Sequence, residues 1–321
     1  MAIRHAPRMR KFAVLLAVFV LGCGSDGASN TGDDTPIDAP NNGMPDAAPI
    51  PPGYTRLVGR TWSLPSGATD TYRCIRYTVP TDTYVTNIVA QAPAGTHHTV
   101  LSIAAGNVTG PDGESDCSVG AIGRPMLYAS GVGTDPLDFP TNVGLKIPAG
   151  TQVHLNLHLF NATDKVLTGD SAILVKTTPT APPMLAEMVF AGKIIFSVPP
   201  GTHDVVGGCT VNTPYTMFAY WPHMHKTAIH SKLELTHSST TTVLHDLPYD
   251  FNEQKYYKPP AELSVVAGDQ IRVTCTYNNM TQSNITFGDS TNAEMCFTGL
   301  YRYPTQNASI TQCTDVPGGI P

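Results

Sequence analysis

The stretch WPHMHKTAIH, residues 221–230, sets His223 and His225 one residue apart. On a strand, side chains at i and i+2 leave the same face, so the two imidazoles can approach one ion together. Two further segments hold histidines at suggestive spacing. QVHLNLHLFN places His154 and His158 four apart on one strand face, and GTHHTVLSI carries the adjacent pair His97 and His98. Adjacent residues of a regular strand point to opposite faces. Both can serve one ion only at a strand end or a bulge, which Gly95 just before them permits. Met295, in NAEMCF, adds a thioether. Three imidazoles make a nitrogen-only site, whereas two imidazoles with a thioether make a softer one. Thioethers favour Cu(I), while zinc prefers Cys, His or carboxylate. Kept apart, two such sites would hold two coppers, each storing one electron. Singly, each feature has an ordinary alternative: an HxH pair is common at surfaces and in cores, and a lone methionine is common in cores. His5 falls in the N-terminal segment ahead of the apolar run, and His203, His230, His237 and His245 lack ligand spacing and read as surface residues.

The elements that would position these residues read as strands. TYRCIRYTVP, YVTNIVAQAP, HHTVLSIAAG, TQVHLNLHLFN, SAILVKTT, EMVFAGKIIF, YTMFAYWPHMH, SKLELTH, AGDQIRVTCTYNN and EMCFTGLYRYP are short and rich in Val, Ile, Thr and Tyr. After the N-terminal segment no stretch sustains a helical period for three turns. The expected fold class is therefore all-β, built from antiparallel sandwiches. Pro179, Pro182 and Pro183 in KTTPTAPPML would interrupt a central strand, which suggests one domain over residues 54–178 and another over 179–321. No internal repeat is visible. Charged residues are 14% of the chain and the formal charge is −6, with no basic cluster beyond the first dozen residues. Nucleic acid is thereby excluded as a partner.

That first dozen is informative. Arg4, Arg8, Arg10 and Lys11 precede the apolar run FAVLLAVFVLG, which ends at Cys23. A basic segment followed by about ten apolar residues reads as an export signal, too short to span a bilayer. VLGC resembles a bacterial lipobox, so residues 1–23 are expected to be a lipoprotein signal, with lipidation at Cys23 tethering the chain to a bacterial membrane, by expectation the outer one, without crossing it. The alternative is plain secretion with Cys23 removed. Residues 24–53 contain no aromatic residue and are dense in Asp, Pro, Gly and Asn. They are expected to be a disordered tether spanning roughly 30 Å as a coil. Six cysteines remain, and an even number in an exported chain points to disulfides, with 15 connectivities open.

Taken together, these motifs resemble the copper type II, ascorbate-dependent monooxygenases, whose animal members include peptidylglycine α-hydroxylating monooxygenase and dopamine β-monooxygenase. The match runs through DTYRCIRYTVP, HHTVLSI, LNLHLFN followed by SAILV, HMH, and VTCTYNN…GDSTNAEMCF. The resemblance implies two jelly-roll-like sandwiches with one copper in each. It implies His97, His98 and His158 as ligands of one ion, preferring His158 to His154 because Asn161 also fits. His223, His225 and Met295 would hold the other, catalytic ion. It implies the disulfides Cys74–Cys117, Cys209–Cys313 and Cys275–Cys296. It implies activation of O₂ at the second copper, hydroxylation of a substrate C–H bond, a second electron from the first copper, and ascorbate or a similar donor to recharge both. Tyr72 and Asn156 fall near the first site by alignment, with packing or a strand-face hydrogen bond as the ordinary alternative. In the peptide-hydroxylating members an Arg that grips the substrate carboxylate stands where this chain has Trp221, and their Asn and Tyr are Phe297 and Gly299 here. C-terminal glycine peptides are therefore not the expected substrate. Trp221 and Phe297 suggest an apolar small molecule, or else belong to the core. Two other readings stand beside this one: a non-catalytic copper-binding surface lipoprotein, and a sandwich hydrolase, for which no carboxylate constellation is found.

Overall fold

The computed structural model describes residues 49–68, 70–105, 109–117, 124–131, 133–290 and 292–315. The export signal, Cys23 and the tether as far as residue 48 lie outside the described residues. The described chain is all β, with no helix. Strands β1 (Thr55–Leu64), β2 (Thr71–Thr78), β3 (Thr83–Gln91), β4 (Thr96–Ile103), β5 (Gly113–Asp116), β6 (Met126–Ser130) and β7 (Leu137–Asp138) come first. β8 (Val143–Ile147), β9 (Gln152–Leu159), β10 (Leu167–Thr178), β11 (Met184–Lys193), β12 (Ser197–Val198), β13 (Gly201–Thr210) and β14 (Tyr215–His223) follow. The last are β15 (Ala228–His237), β16 (Thr240–Pro248), β17 (Leu263–Val265), β18 (Gln270–Asn279), β19 (Ile285–Thr286), β20 (Cys296–Tyr303) and β21 (Cys313–Asp315).

Three sheets matter for the candidate sites. A five-stranded sheet runs β5-β2-β9-β4-β6, a larger one runs β1-β10-β3-β8-β11-β20-β14-β17, and a four-stranded one runs β13-β18-β15-β16. The larger sheet carries strands from both sides of the proline-rich segment, joined where β8 and β11 pair in parallel, Met184 opposite Val143. Strand β9 shows why the sequence folds this way. Leu155, Leu157 and Leu159 alternate along it and are wholly buried, while His154, Asn156 and His158 take the opposite face and are buried as well. The leucine face joins a core that includes Leu101 and Ile75 and extends to Phe218, Trp221, Phe297 and Tyr301. Each such side chain contributes about 1.5–3 kcal/mol by burial, which leaves the opposite face of β9 free for polar work. A second core, including Val189, Leu233, Val273, Tyr277 and Leu300, lies within the second half.

Disulfides join Cys74–Cys117, Cys209–Cys313 and Cys275–Cys296, the pairings the resemblance implied. Two Asn-x-Thr sequences form matching buckles where β9 and β18 end. The Asn161 amide donates to the carbonyls of Leu64, Pro65 and Lys165, and its oxygen accepts from the Thr163 backbone and hydroxyl. Asn279 does the same with Val198, Ser283 and Thr281. Both asparagines are 1% exposed. Buried amides satisfied this completely fix the strand exits.

Candidate metal sites

The first histidine group is a row across the five-stranded sheet. Pairing of β2 with β9 sets Tyr72 opposite His158, and pairing of β4 with β9 sets His98 opposite His158. The β4–β9 register slips between Thr96 and His98, a bulge of the kind that an adjacent His pair needs. Gly95 enters it at φ +96°, where a Cβ would also strike Leu167 and Trp62. The outcome is a cluster: His97, His98 and His158 each offer a ring nitrogen, and these atoms all lie within 4.8 Å of one another. His154, four residues along β9, is not gathered into it.

Two of the rings are held from behind by oxygens. His97 Nε2 donates to Asn252 Oδ1 at 3.0 Å, and His158 Nε2 donates to the Asp70 carboxylate at 3.0 Å. Tyr72 stacks on His158 with centroids 4.6 Å apart and planes 6° from parallel. Asn156 lies two residues before His158 on the same strand face, buried, and opposite Cys74 and Val100 in register. Burial and then the neighbouring imidazoles hold His98 well below its ordinary pKa, and the same causes bring His158 down to about 4. Burial, with the Asp70 charge behind it, pushes Tyr72 up to about 12. At neutral pH the His98 and His158 imidazoles are uncharged, the form that ligates.

The second group sits where β14 ends. The His223 and His225 rings meet edge to face at 5.4 Å. His225 Nδ1 donates to the Ala293 carbonyl at 2.9 Å, which fixes the tautomer and leaves Nε2 bare. Glu294, fully buried, accepts from the His225 N–H at 2.8 Å and from the Thr227 N–H and hydroxyl at 2.8 and 2.7 Å. Met295 is next in the chain, 7% exposed, with its carbonyl accepting from the Tyr277 hydroxyl and its other neighbour, Cys296, bonded to Cys275. Burial lowers His223 to about 3, and it also lowers His225 while raising the Glu294 carboxyl. Trp221 stacks on His223 at 4.7 Å.

The segment after β16 touches both groups. The Phe251 ring lies 5.1 Å from His97, 5.0 Å from His98 and 6.2 Å from His225. Gln254 Oε1 lies 2.8 Å from His223 Nδ1, and its Nε2 lies 2.7 Å from His98 Nε2.

Residues 185–317 match the family described as copper type II ascorbate-dependent monooxygenase, C-terminal domain. The human "Putative DBH-like monooxygenase protein 2" is 27% identical over 248 residues, covering 69% of this chain and 49% of that protein. The "DBH-like monooxygenase protein 1" of Gallus gallus is 26% identical over 215 residues, covering 60% of this chain and 35% of that protein. The chain resembles the copper type II ascorbate-dependent monooxygenases, its second half matching their C-terminal domain. It spans about half the length of the human relative and about a third of the chicken one. Among solved structures, the major capsid protein P2 of bacteriophage PM2 aligns with TM-score 0.32 at 9% identity, over 82% of this chain and all of that one, too weak a likeness to argue from.

Trp221 and Phe297 are each 2% exposed and belong to the core, with Phe297 stacked on Phe190 at 4.7 Å. Gly299 stands opposite Trp221, where a Cβ would come within 3.2 Å of Met188 Sδ and 3.4 Å of the indole. One surface assignment was wrong: His245 is 4% exposed, with Nε2 against the Ser231 hydroxyl at 2.8 Å. It is the inward residue of a strand whose other side chains mostly face solvent. Reading the sequence also missed Asp70, Phe251, Asn252, Gln254 and Glu294. Glu294 carried a signal, since it adjoins Met295; the others lie in polar segments whose pattern says only turn. The three disulfides are those of an exported protein.

Proposed function

We propose that the chain is a copper monooxygenase that hydroxylates a C–H bond of a small organic molecule, using O₂ and an ascorbate-like one-electron donor. His97, His98 and His158 would hold one copper, and His223, His225 and Met295 the other, catalytic one. The observation that carries the reading is the convergence of three imidazoles from β4 and β9, two of them held from behind by oxygen acceptors. That donor set fits a copper ion and needs no rearrangement of the sheet. When bound, the two ions would supply the one-electron chemistry that activates O₂.

The protein's part is placement. Asp70 and Asn252 would orient His158 and His97, and Tyr72 would seat the His158 ring. Ala293 would present His225 by Nε2, and Glu294 would hold the turn that sets His225 beside His223. Phe251 would keep bulk water from the space between the groups. A terminal carboxylate would find no cation at Trp221, which argues against C-terminal glycine peptides and for an apolar substrate. In this reading residues 54–178 and 179–321 each carry one site, and lipid on Cys23 anchors the chain to a bacterial membrane. The test is metal analysis with turnover. Two coppers per chain, loss of one in His158→Ala, and O₂ uptake driven by ascorbate with substrate present are expected. A chain that bound zinc and ignored copper would refute it.

A further inference from the structure

If an imidazole is to offer a bare nitrogen to an ion, its other nitrogen carries the hydrogen and needs an acceptor. Three of the five imidazoles have an oxygen of their own for this: Asn252 Oδ1 for His97, Asp70 for His158 and the Ala293 carbonyl for His225. The remaining two, His98 and His223, share Gln254, with the Phe251 carbonyl also beside His98. Its side chain is 1% exposed, and its Nε2 also donates to the Phe251 carbonyl at 3.1 Å. An amide has one accepting end and one donating end. Whichever way it is turned, it accepts N–H from one imidazole and donates to a bare nitrogen on the other. A neutral ring that is bare on its outer side carries its hydrogen on the inner side, where an ion would bind.

The network seen here is complete in one direction. His223 Nδ1–H donates to Gln254 Oε1, and Gln254 Nε2–H donates to His98 Nε2. His98 Nδ1–H then donates to His97 Nδ1 at 3.2 Å, and His97 Nε2–H donates to Asn252. His223 is thereby set to offer Nε2, whereas His98 has its inward nitrogen covered by hydrogen. Reversing the amide frees His98 and covers His223.

We propose that Gln254 couples the two histidine groups, so that filling one disfavours filling the other. The coupling to metal rests on the copper reading above; the opposition of the two tautomers does not. In metal-free protein, ¹⁵N shifts of the imidazoles should show one of His98 and His223 presenting N–H to Gln254 and the other a bare nitrogen. Both rings presenting N–H would overturn the proposal. Gln254→Glu supplies two accepting oxygens, so both rings should then present N–H. In copper titrations the wild-type chain should bind in two steps, the second about tenfold or more weaker than in Gln254→Glu, since an unmatched buried donor pair is lost in the variant. Equal separation of the steps in both proteins would overturn the proposal and leave the enzyme reading standing. A chain that took no copper would sink the enzyme reading, while the tautomer measurement would still decide the opposition.

Discussion

Glu294 gives the sharpest test of how the second group is built. Its carboxylate accepts three hydrogen bonds, one from the His225 N–H and two from Thr227. Glu294→Gln keeps the shape but leaves one accepting oxygen. If that oxygen stays on Thr227, the His225 N–H faces an NH₂ group and is orphaned in a fully buried place, which costs about 1–3 kcal/mol. The surviving bonds lose their charge assistance, about 0.5–1 kcal/mol each. Against this, the neutral amide is easier to bury than a carboxylate whose pKa burial has already raised. The net expectation is a loss of about 2 kcal/mol, or roughly 4–8 °C in Tm for a domain of this size. Glu294→Ala orphans all three donors and should lose about 3–6 kcal/mol. Urea and thermal unfolding of metal-free protein measure both. A Glu294→Gln variant within about 0.5 kcal/mol of wild type would show that the carboxylate does not secure the His223–His225 turn.

Three other outcomes follow from the same geometry. Gly299→Ala should destabilise by about 1 kcal/mol, the low end for overpacking because Met188 can yield, and should shift Trp221 emission; an unchanged spectrum and Tm would refute the close approach. Removing Cys275–Cys296, which spans 21 residues, by double Cys→Ala should lose about 3 kcal/mol; an unaltered urea midpoint counts against it. Buried His154, His158 and His245 are lowered to about 4, so the unfolded chain binds more protons than the folded one between roughly pH 6.5 and 4. The stability they confer is whole above pH 6.5 and is lost as pH falls toward 4, by up to about 1.4 kcal/mol per pH unit for each. A urea midpoint unchanged between pH 7 and 5 would contradict this.

The strands that were legible in the sequence share a position. All ten segments recognised from Val, Ile, Thr and Tyr content lie inside sheets, whereas the strands at the sheet ends, β1 and β17, β5 and β6, β13 and β16, were not recognised. A strand flanked on both sides is buried along most of its length, as β9 is, and its sequence is apolar enough to show it. An edge strand such as β16, TTTVLHDLP, takes its conformation from its neighbour and has only His245 fully inward. The histidine pairs were legible for the same reason as β9: spacing on an interior strand fixes facing. Gln254 and Asn252 were not, because nothing local says that a polar turn will fold back against rings 31 and 155 positions away.

The matching buckles at Asn161 and Asn279 bear on how this protein can be made. Both fall in Asn-x-Thr sequences that a eukaryotic secretory pathway reads as sugar-attachment signals, and attachment there precedes folding. A glycan on either amide would replace one of the two N–H donors that the surrounding carbonyls share and could not be enclosed at 1% exposure. Production in such a host should therefore yield chains arrested before the native state, and Thr163→Ala or Thr281→Ala would not rescue them cleanly, since each threonine is part of the same knot. A bacterial periplasm, which forms disulfides and leaves these asparagines bare, avoids the conflict.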